Sequence, residues 1–180
     1  MKDTEVIKIV NGYLREKGFN PERLKSFDES APDFKVNYDD GGLFYCEVKS
    51  PNMFIKNAEF EKHSTKFSKL EKHLHKAAKQ FRNANPLHLF PNILIWTSKH
   101  FALCWKDFSD CFRGFISIDN KIIYDRTNSD SFKRVRKDWE IIDIHIWLQL
   151  GKTGIYQESK FINSNSLNIL SPKLLPLLGI

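Results

Sequence analysis

Apolar positions along the chain follow two periods. At Val6, Ile7, Val10, Tyr13 and Leu14 the spacing is helical, which predicts a one-faced helix over residues 3–17 with Asp3 or Thr4 as N-cap and Gly18 as its stop. A weak strand is read at 24–27. Phe34, Val36 and Tyr38 then alternate with polar residues, the turn cluster Asp39-Asp40-Gly41-Gly42 follows, and residues 43–49 form a second arm. This is a hairpin, ended by Ser50-Pro51-Asn52. From about 58 to 84 the helical period returns, with Phe67, Leu70, Leu74, Ala77 and Phe81 on one stripe and Asn83, Asn85 and Pro86 closing it. Further strands are predicted at 92–97, 101–106, 114–118 and 121–124, the last two around Asp119-Asn120. Residues 139–150 are apolar enough to be buried, without a period that separates strand from helix.

The order helix, strands, long helix, strands describes an α/β (α+β) domain with a central mixed sheet flanked by helices. One domain is predicted over 1–157. A C-terminal tail over 158–180 is Ser/Asn-rich and then carries Leu174, Leu175, Leu177 and Leu178, and it is read as docked or at a subunit interface. Phe44, Cys46 and the four tryptophans are assigned to the core.

The hairpin carries the chemistry. Acid-x-Lys occurs four times, at Asp33-Phe34-Lys35, Glu47-Val48-Lys49, Asp119-Asn120-Lys121 and Glu158-Ser159-Lys160, so the tripeptide alone says nothing. The second copy differs in its setting, on the far arm of a hairpin whose near arm begins with Pro32-Asp33. Phe34 and Val36 form the apolar face of one arm, and Phe44, Cys46 and Val48 that of the other. Cross-strand neighbours share a face, so even-numbered residues must pair with even. A three-residue loop, Asp39-Asp40-Gly41, with Gly41 left-handed, meets this by pairing 34 with 46 and 36 with 44. The same register sets Asp33 opposite Glu47, with roughly 5 Å between Cβ atoms. Two facing carboxylates repel unless a cation or proton intervenes. Lys49, on the same face as Glu47, offsets part of the repulsion, and a divalent metal does so better. Magnesium takes few protein carboxylates and keeps several waters, a need met by Asp33, Glu47 and the backbone carbonyl of Val48.

This arrangement resembles the PD-(D/E)XK nuclease superfamily, whose restriction-endonuclease-like fold includes Holliday-junction resolvases and RecB-type nuclease domains. The likeness covers roughly residues 1–106 in element order, with its motif confined to 32–49. It implies a restriction-endonuclease-like core and a Mg2+- or Mn2+-dependent endonuclease that hydrolyses phosphodiester bonds. In that likeness Asp33 and Glu47 bind metal, and Lys49 positions or activates the attacking water. Many members carry a Gln or Lys facing the site from the next helix, a place that Gln80 fits here. Some add a Glu from the first helix, and Glu5 is the acid placed to serve. The chain departs from many resolvases in lacking a Gly-Ser stretch before the Asp. Many relatives are dimers, for which the Leu174–Leu178 segment offers an interface.

Charge sharpens the partner. The chain carries 28 Lys+Arg against 22 Asp+Glu, for a net +6, and residues 56–82 hold eight basic and three acidic side chains. Within that stretch Lys62, Lys66, Lys69, His73, Lys76 and Gln80 step by four and three along one polar stripe, which makes Lys62, Lys66, Lys69 and Lys76 candidate contacts for nucleic acid phosphates, DNA before RNA. Arg134, Arg136 and Lys137 form a smaller basic cluster. The other constellations fail. Gly151-Lys152-Thr153 lacks the upstream glycine of a phosphate loop, where Ile146 stands; His73 and His75 point apart on a helix; His100, Cys104 and Cys111 lack a fourth ligand for zinc. With no apolar run of membrane length and no signal-peptide layout at Met1, the expectation is a cytoplasmic protein with no membrane partner. The second functional class compatible with these residues is a non-catalytic nucleic-acid-binding or assembly subunit on a nuclease-like fold.

Overall fold

The structure, a computed structural model, describes residues 4–24, 30–38, 41–51, 63–99, 103–118 and 121–180. Chain order is α1 (Thr4–Glu16), β1 (Asn20–Arg23), β2 (Phe34–Tyr38), β3 (Gly42–Lys49), α2 (His63–Ala84), β4 (Asn92–Ser98), α3 (Trp105–Arg113), β5 (Phe115–Ile118), β6 (Lys121–Asp125), α4 (Asp130–Trp139), β7 (Ile144–Gly151), β8 (Gly154–Ile162) and α5 (Leu174–Leu178). Six strands form one mixed sheet in the order β1-β2-β3-β4-β7-β8. β3, β4 and β7 run parallel, and the other neighbours are antiparallel. The β5–β6 hairpin stands apart as a two-stranded sheet.

Alternation along the strands divides the core in two. Phe34, Val36, Phe44, Cys46, Val48, Ile93, Ile95, Ile144 and Ile146 face α1 and α5. Leu94, Trp96 and Trp147 face the opposite way and pack with Phe67, Leu70, Leu74 and Phe81 of α2, Phe108 of α3, and Phe132 and Val135 of α4. The result is a mixed sheet between two helical layers, as the element order predicted. The hairpin register is also the predicted one: Phe34 pairs with Cys46, Val36 with Phe44 and Tyr38 with Gly42, and Gly41 has a φ of +90°. Among the described residues no helix is long and apolar enough to cross a membrane.

Four readings change. The early strand is Asn20–Arg23 rather than 24–27, at the edge of the sheet where the missing N–H of Pro21 is tolerated; residues 25–27 lie outside the described residues. Of the predicted strand at 101–106, residues 103 and 104 lead into α3 and 105 and 106 belong to it, while 101 and 102 lie outside the described residues. Asp107 Oδ2 accepts from the Cys104 backbone N–H at 3.1 Å and so caps the helix start, while Trp105, Phe108 and Phe112 recur at helical spacing. Gly114, at φ +81°, closes it, in a place where a side chain would strike the ring of Phe132. The undecided 139–150 segment contains a boundary. Trp139 ends α4, which is capped by Ser129 accepting from Phe132 N–H at 3.2 Å, and β7 begins at Ile144.

The domain boundary at 157/158 also moves, because it falls inside β8. Glu158 accepts a hydrogen bond from Tyr13 Oη at 2.7 Å and is paired with Lys160 at 2.6 Å, which ties the strand to α1. Leu174 and Leu178 are fully buried in the α1-side core. The leucine tail is docked within the chain that carries it. Leu178→Ala is therefore expected to lower stability by about 2–5 kcal/mol in urea unfolding, and a chain ending at 157 to lose its cooperative transition; a peripheral arm would leave both unchanged.

His145 gives the fold an acid limb. Its Nδ1 accepts from Trp96 Nε1 at 3.3 Å, its ring stacks on Trp139 at 3.9 Å, and complete burial holds its pKa down at about 3 against an ordinary 6.5. The unfolded chain takes up a proton below pH 6.5 that the folded chain refuses until about 3, so stability falls across that window as pH drops. The loss from this group is about 1.4 kcal/mol per pH unit. His145→Gln, which keeps an acceptor for Trp96, should show a flatter acid limb in urea unfolding followed from pH 7 to 4.

Candidate active site

The site begins where β2 begins. Continuing the observed register by one residue sets Asp33 opposite Glu47, and by two sets Pro32 opposite Val48. The Asp33 backbone N–H donates to Glu47 Oε2 at 3.0 Å, and the Val48 N–H donates to Asp33 Oδ2 at 2.9 Å. Each carboxylate thus holds the backbone of the other strand, and charge-assisted bonds of this kind fix both side chains. The N–H and C=O of a strand residue point to the same edge, so the Val48 carbonyl is directed toward β2. The residue set opposite it, Pro32, has no N–H to donate, which leaves that oxygen without the ladder bond it would otherwise accept.

Lys49, two residues beyond Glu47 on the same face, completes the row. Its Nζ lies 2.7 Å from Glu47 Oε1 and 2.8 Å from Gln80 Oε1. Gln80 in turn donates from Nε2 to the Ala31 carbonyl at 2.8 Å, tying α2 to the segment that leads into Pro32-Asp33. Asp33, Glu47, Lys49 and Gln80 are all buried, Glu47 completely. They sit on the sheet face that α2, α3 and α4 cover, beside Leu94 and Trp96, which pair with Glu47 and Lys49 across β3 and β4. Two carboxyl groups and one amine thus share a setting where charge is costly.

The other candidates are distributed differently. Glu5 stands exposed in the first turn of α1 and forms an ion pair with Lys99, just past the end of β4, at 2.7 Å. Lys66 is buried and paired with Asp107 of α3 at 2.9 Å, so it braces two helices rather than presenting a cation to solvent. Lys69 is half-buried and Lys76 exposed, while Lys62 lies outside the described residues. Three partners had no signal in the sequence: the Ala31 carbonyl, a backbone group; Asp107, which lay next to a segment read as strand; and Trp96, whose place beside Lys49 depends on the β3–β4 crossover.

The donor set fits a hard divalent cation. Among the described residues no group of three or more His, Cys, Asp or Glu side chains could hold a metal ion. Two carboxylates plus the Val48 carbonyl are fewer ligands than a closed zinc site needs, but they suit Mg2+ or Mn2+, which retain water and complete their shell from a phosphate. No protein-family model matches the chain, and no curated protein matches it.

Lys49→Met leaves Glu47 buried without its ammonium. The expected cost is about 3–5 kcal/mol in urea unfolding at neutral pH. Adding Glu47→Gln should recover most of it, because the carboxylate that lost its ammonium is gone; equal stability of the single and double variants would refute that account.

Proposed function

We propose that this chain is a divalent-metal-dependent nuclease that hydrolyses phosphodiester bonds in DNA, built on a restriction-endonuclease-like core of the PD-(D/E)XK kind. The observation that carries the reading is the convergence of Asp33, Glu47, Lys49 and Gln80, from three separate elements, in one hydrogen-bonded cluster. The passage from an antiparallel β1–β2–β3 meander through α2 to the parallel strand β4 supports the same core.

In this reading Asp33, Glu47 and the Val48 carbonyl hold Mg2+ or Mn2+. When bound, such an ion supplies charge stabilisation at phosphorus and a more acidic water. Lys49 orients that water and balances charge on the phosphate, while Gln80 holds the Lys49 ammonium at its post. Lys69 and Lys76, on the Gln80 flank of α2, contact the backbone beside the cut.

Supercoiled and branched DNA, incubated with Mg2+ or Mn2+, tests this. The wild-type chain should cleave, and Asp33→Asn and Lys49→Ala, checked for folding by circular dichroism, should lose at least about a hundredfold in rate. Cleavage that survives both substitutions refutes the site. DNA binding without cleavage under either metal refutes the enzyme and favours the adaptor.

A further inference from the structure

We propose that the outer face shared by α2 and α4, on the flank of α2 away from Gln80, is a second phosphate-binding surface that takes the backbone of double-stranded DNA. The proposal rests on DNA as the ligand of this chain and not on its cleavage. Asp138 of α4 is buried, and its carboxylate is bonded to His75 Nδ1 at 2.7 Å and Arg82 Nη2 at 3.0 Å. Those two residues lie seven apart on α2, so the bonds dock α4 along one line of the longer helix. Lys72 and Lys79 fall on the same line, which reads 72, 75, 79, 82 in steps of three and four. On α4, Arg134 is one turn before Asp138, and the Lys137 carbonyl accepts from Arg82 Nη2 at 3.4 Å. Lys72, Lys79, Arg82, Arg134 and Lys137 are all exposed. One buried carboxylate therefore docks α4 on α2 along the line that carries Lys72, Lys79 and Arg82, and α4 adds the exposed Arg134 and Lys137.

A merely solvated helix gains from acids placed three or four residues from its lysines. Between His63 and Ala84 the single acid is Glu71, and it is ion-paired with Arg126. Lys72 and Lys79 thus have no acid of α2 three or four residues away. A phosphate strand lying on them supplies the opposite charge. The shape of the surface selects the kind of polyanion. Proteins that grip single strands offer exposed rings for bases to stack on, whereas on α4 Phe132 is buried and Trp139, half-buried beside Asp138, is already stacked on His145. From Lys72 to Arg82 the line is about 15 Å long, enough to follow roughly four phosphates of one duplex strand. Lys79 and Gln80 are neighbours in sequence, about 100° apart round the helix. The cluster with Lys49 and this seam are therefore opposite flanks of one helix, and a bent or branched DNA can touch both.

Fluorescence anisotropy of a short labelled DNA duplex in EDTA reads the surface without cleavage. Arg134→Gln/Lys137→Gln and, separately, Lys72→Gln/Lys79→Gln should each weaken binding about tenfold and lower the salt slope by about two, with thermal unfolding unchanged. Wild-type affinity and slope in both double variants would overturn the proposal, even where Asp33→Asn abolishes cleavage. Full competition by anionic lipid vesicles at equal phosphate would also overturn it, assigning the face to a membrane surface. Weakened binding in both variants upholds it, whether or not the wild-type chain cuts DNA.

Discussion

A strand shows each side chain to one face only, so sliding β2 by one residue against β3 would turn Phe34 and Val36 out of the α1-side core and carry Asp33 away from Glu47. The same apolar pairs that hold the hairpin in the sheet therefore hold the two carboxylates together. Nothing at the site is adjustable independently of the core. The reciprocal bonds, Asp33 N–H to Glu47 and Val48 N–H to Asp33, take over where the ladder stops. Pro32 is part of the reason it stops there, since it has no N–H to extend the pairing.

This row of buried polar groups is expensive. Lys49 and Glu47 lie on a sheet face that also carries Leu94, Trp96 and Trp147, Gln80 reaches them from α2, and apolar residues of similar volume in such places are often as stable or more so. A fold with no use for the charges would gain by losing them. The Lys66–Asp107 pair and the Asp138 cluster have a different logic. Each sits between helices, at the α2–α3 and α2–α4 contacts, where two elements must choose one relative position. Hydrogen-bonded charges specify such a position better than apolar side chains, which slide.

What could be read along the chain, and what could not, follows from how local each determinant is. The α1 stripe, the α2 stripe and the hairpin were legible because period and turn chemistry lie within a dozen residues. The register followed from face parity alone, and Asp33 met Glu47 as a by-product. Gln80 was legible as a position on a polar flank, but its bonds to Lys49 and Ala31 depend on the crossover that lays α2 over β3. The segment at 101–106 misled because a run such as Phe101-Ala102-Leu103-Cys104-Trp105 has no helical period until Phe108 and Phe112 are counted with it. The decisive cap, Asp107, lies beyond that window. β8 was missed for the opposite reason. As an edge strand it is half-exposed along its length, so its alternation is faint and its Ser, Gln and Lys read as tail.

Lys66 shows how far charge counting carries. A lysine and its neighbours on a helix face predict a cationic stripe, but whether each ammonium reaches solvent is decided by what packs beside it. α3 supplies Asp107 on one flank and takes Lys66 out of the surface; on the other flank α4 supplies Asp138, which anchors His75 and Arg82 and leaves Lys72 and Lys79 outward. The excess of basic residues in this stretch is thus divided by two carboxylates that no count of net charge would single out. Along one side of α2 Gln80 reaches the buried row with Lys49, where two acids face each other. Along the other Lys72, Lys79 and Arg82 join Arg134 and Lys137 in a surface without catalytic groups. The helix separates a buried row of charged and polar groups from an exposed face of cations.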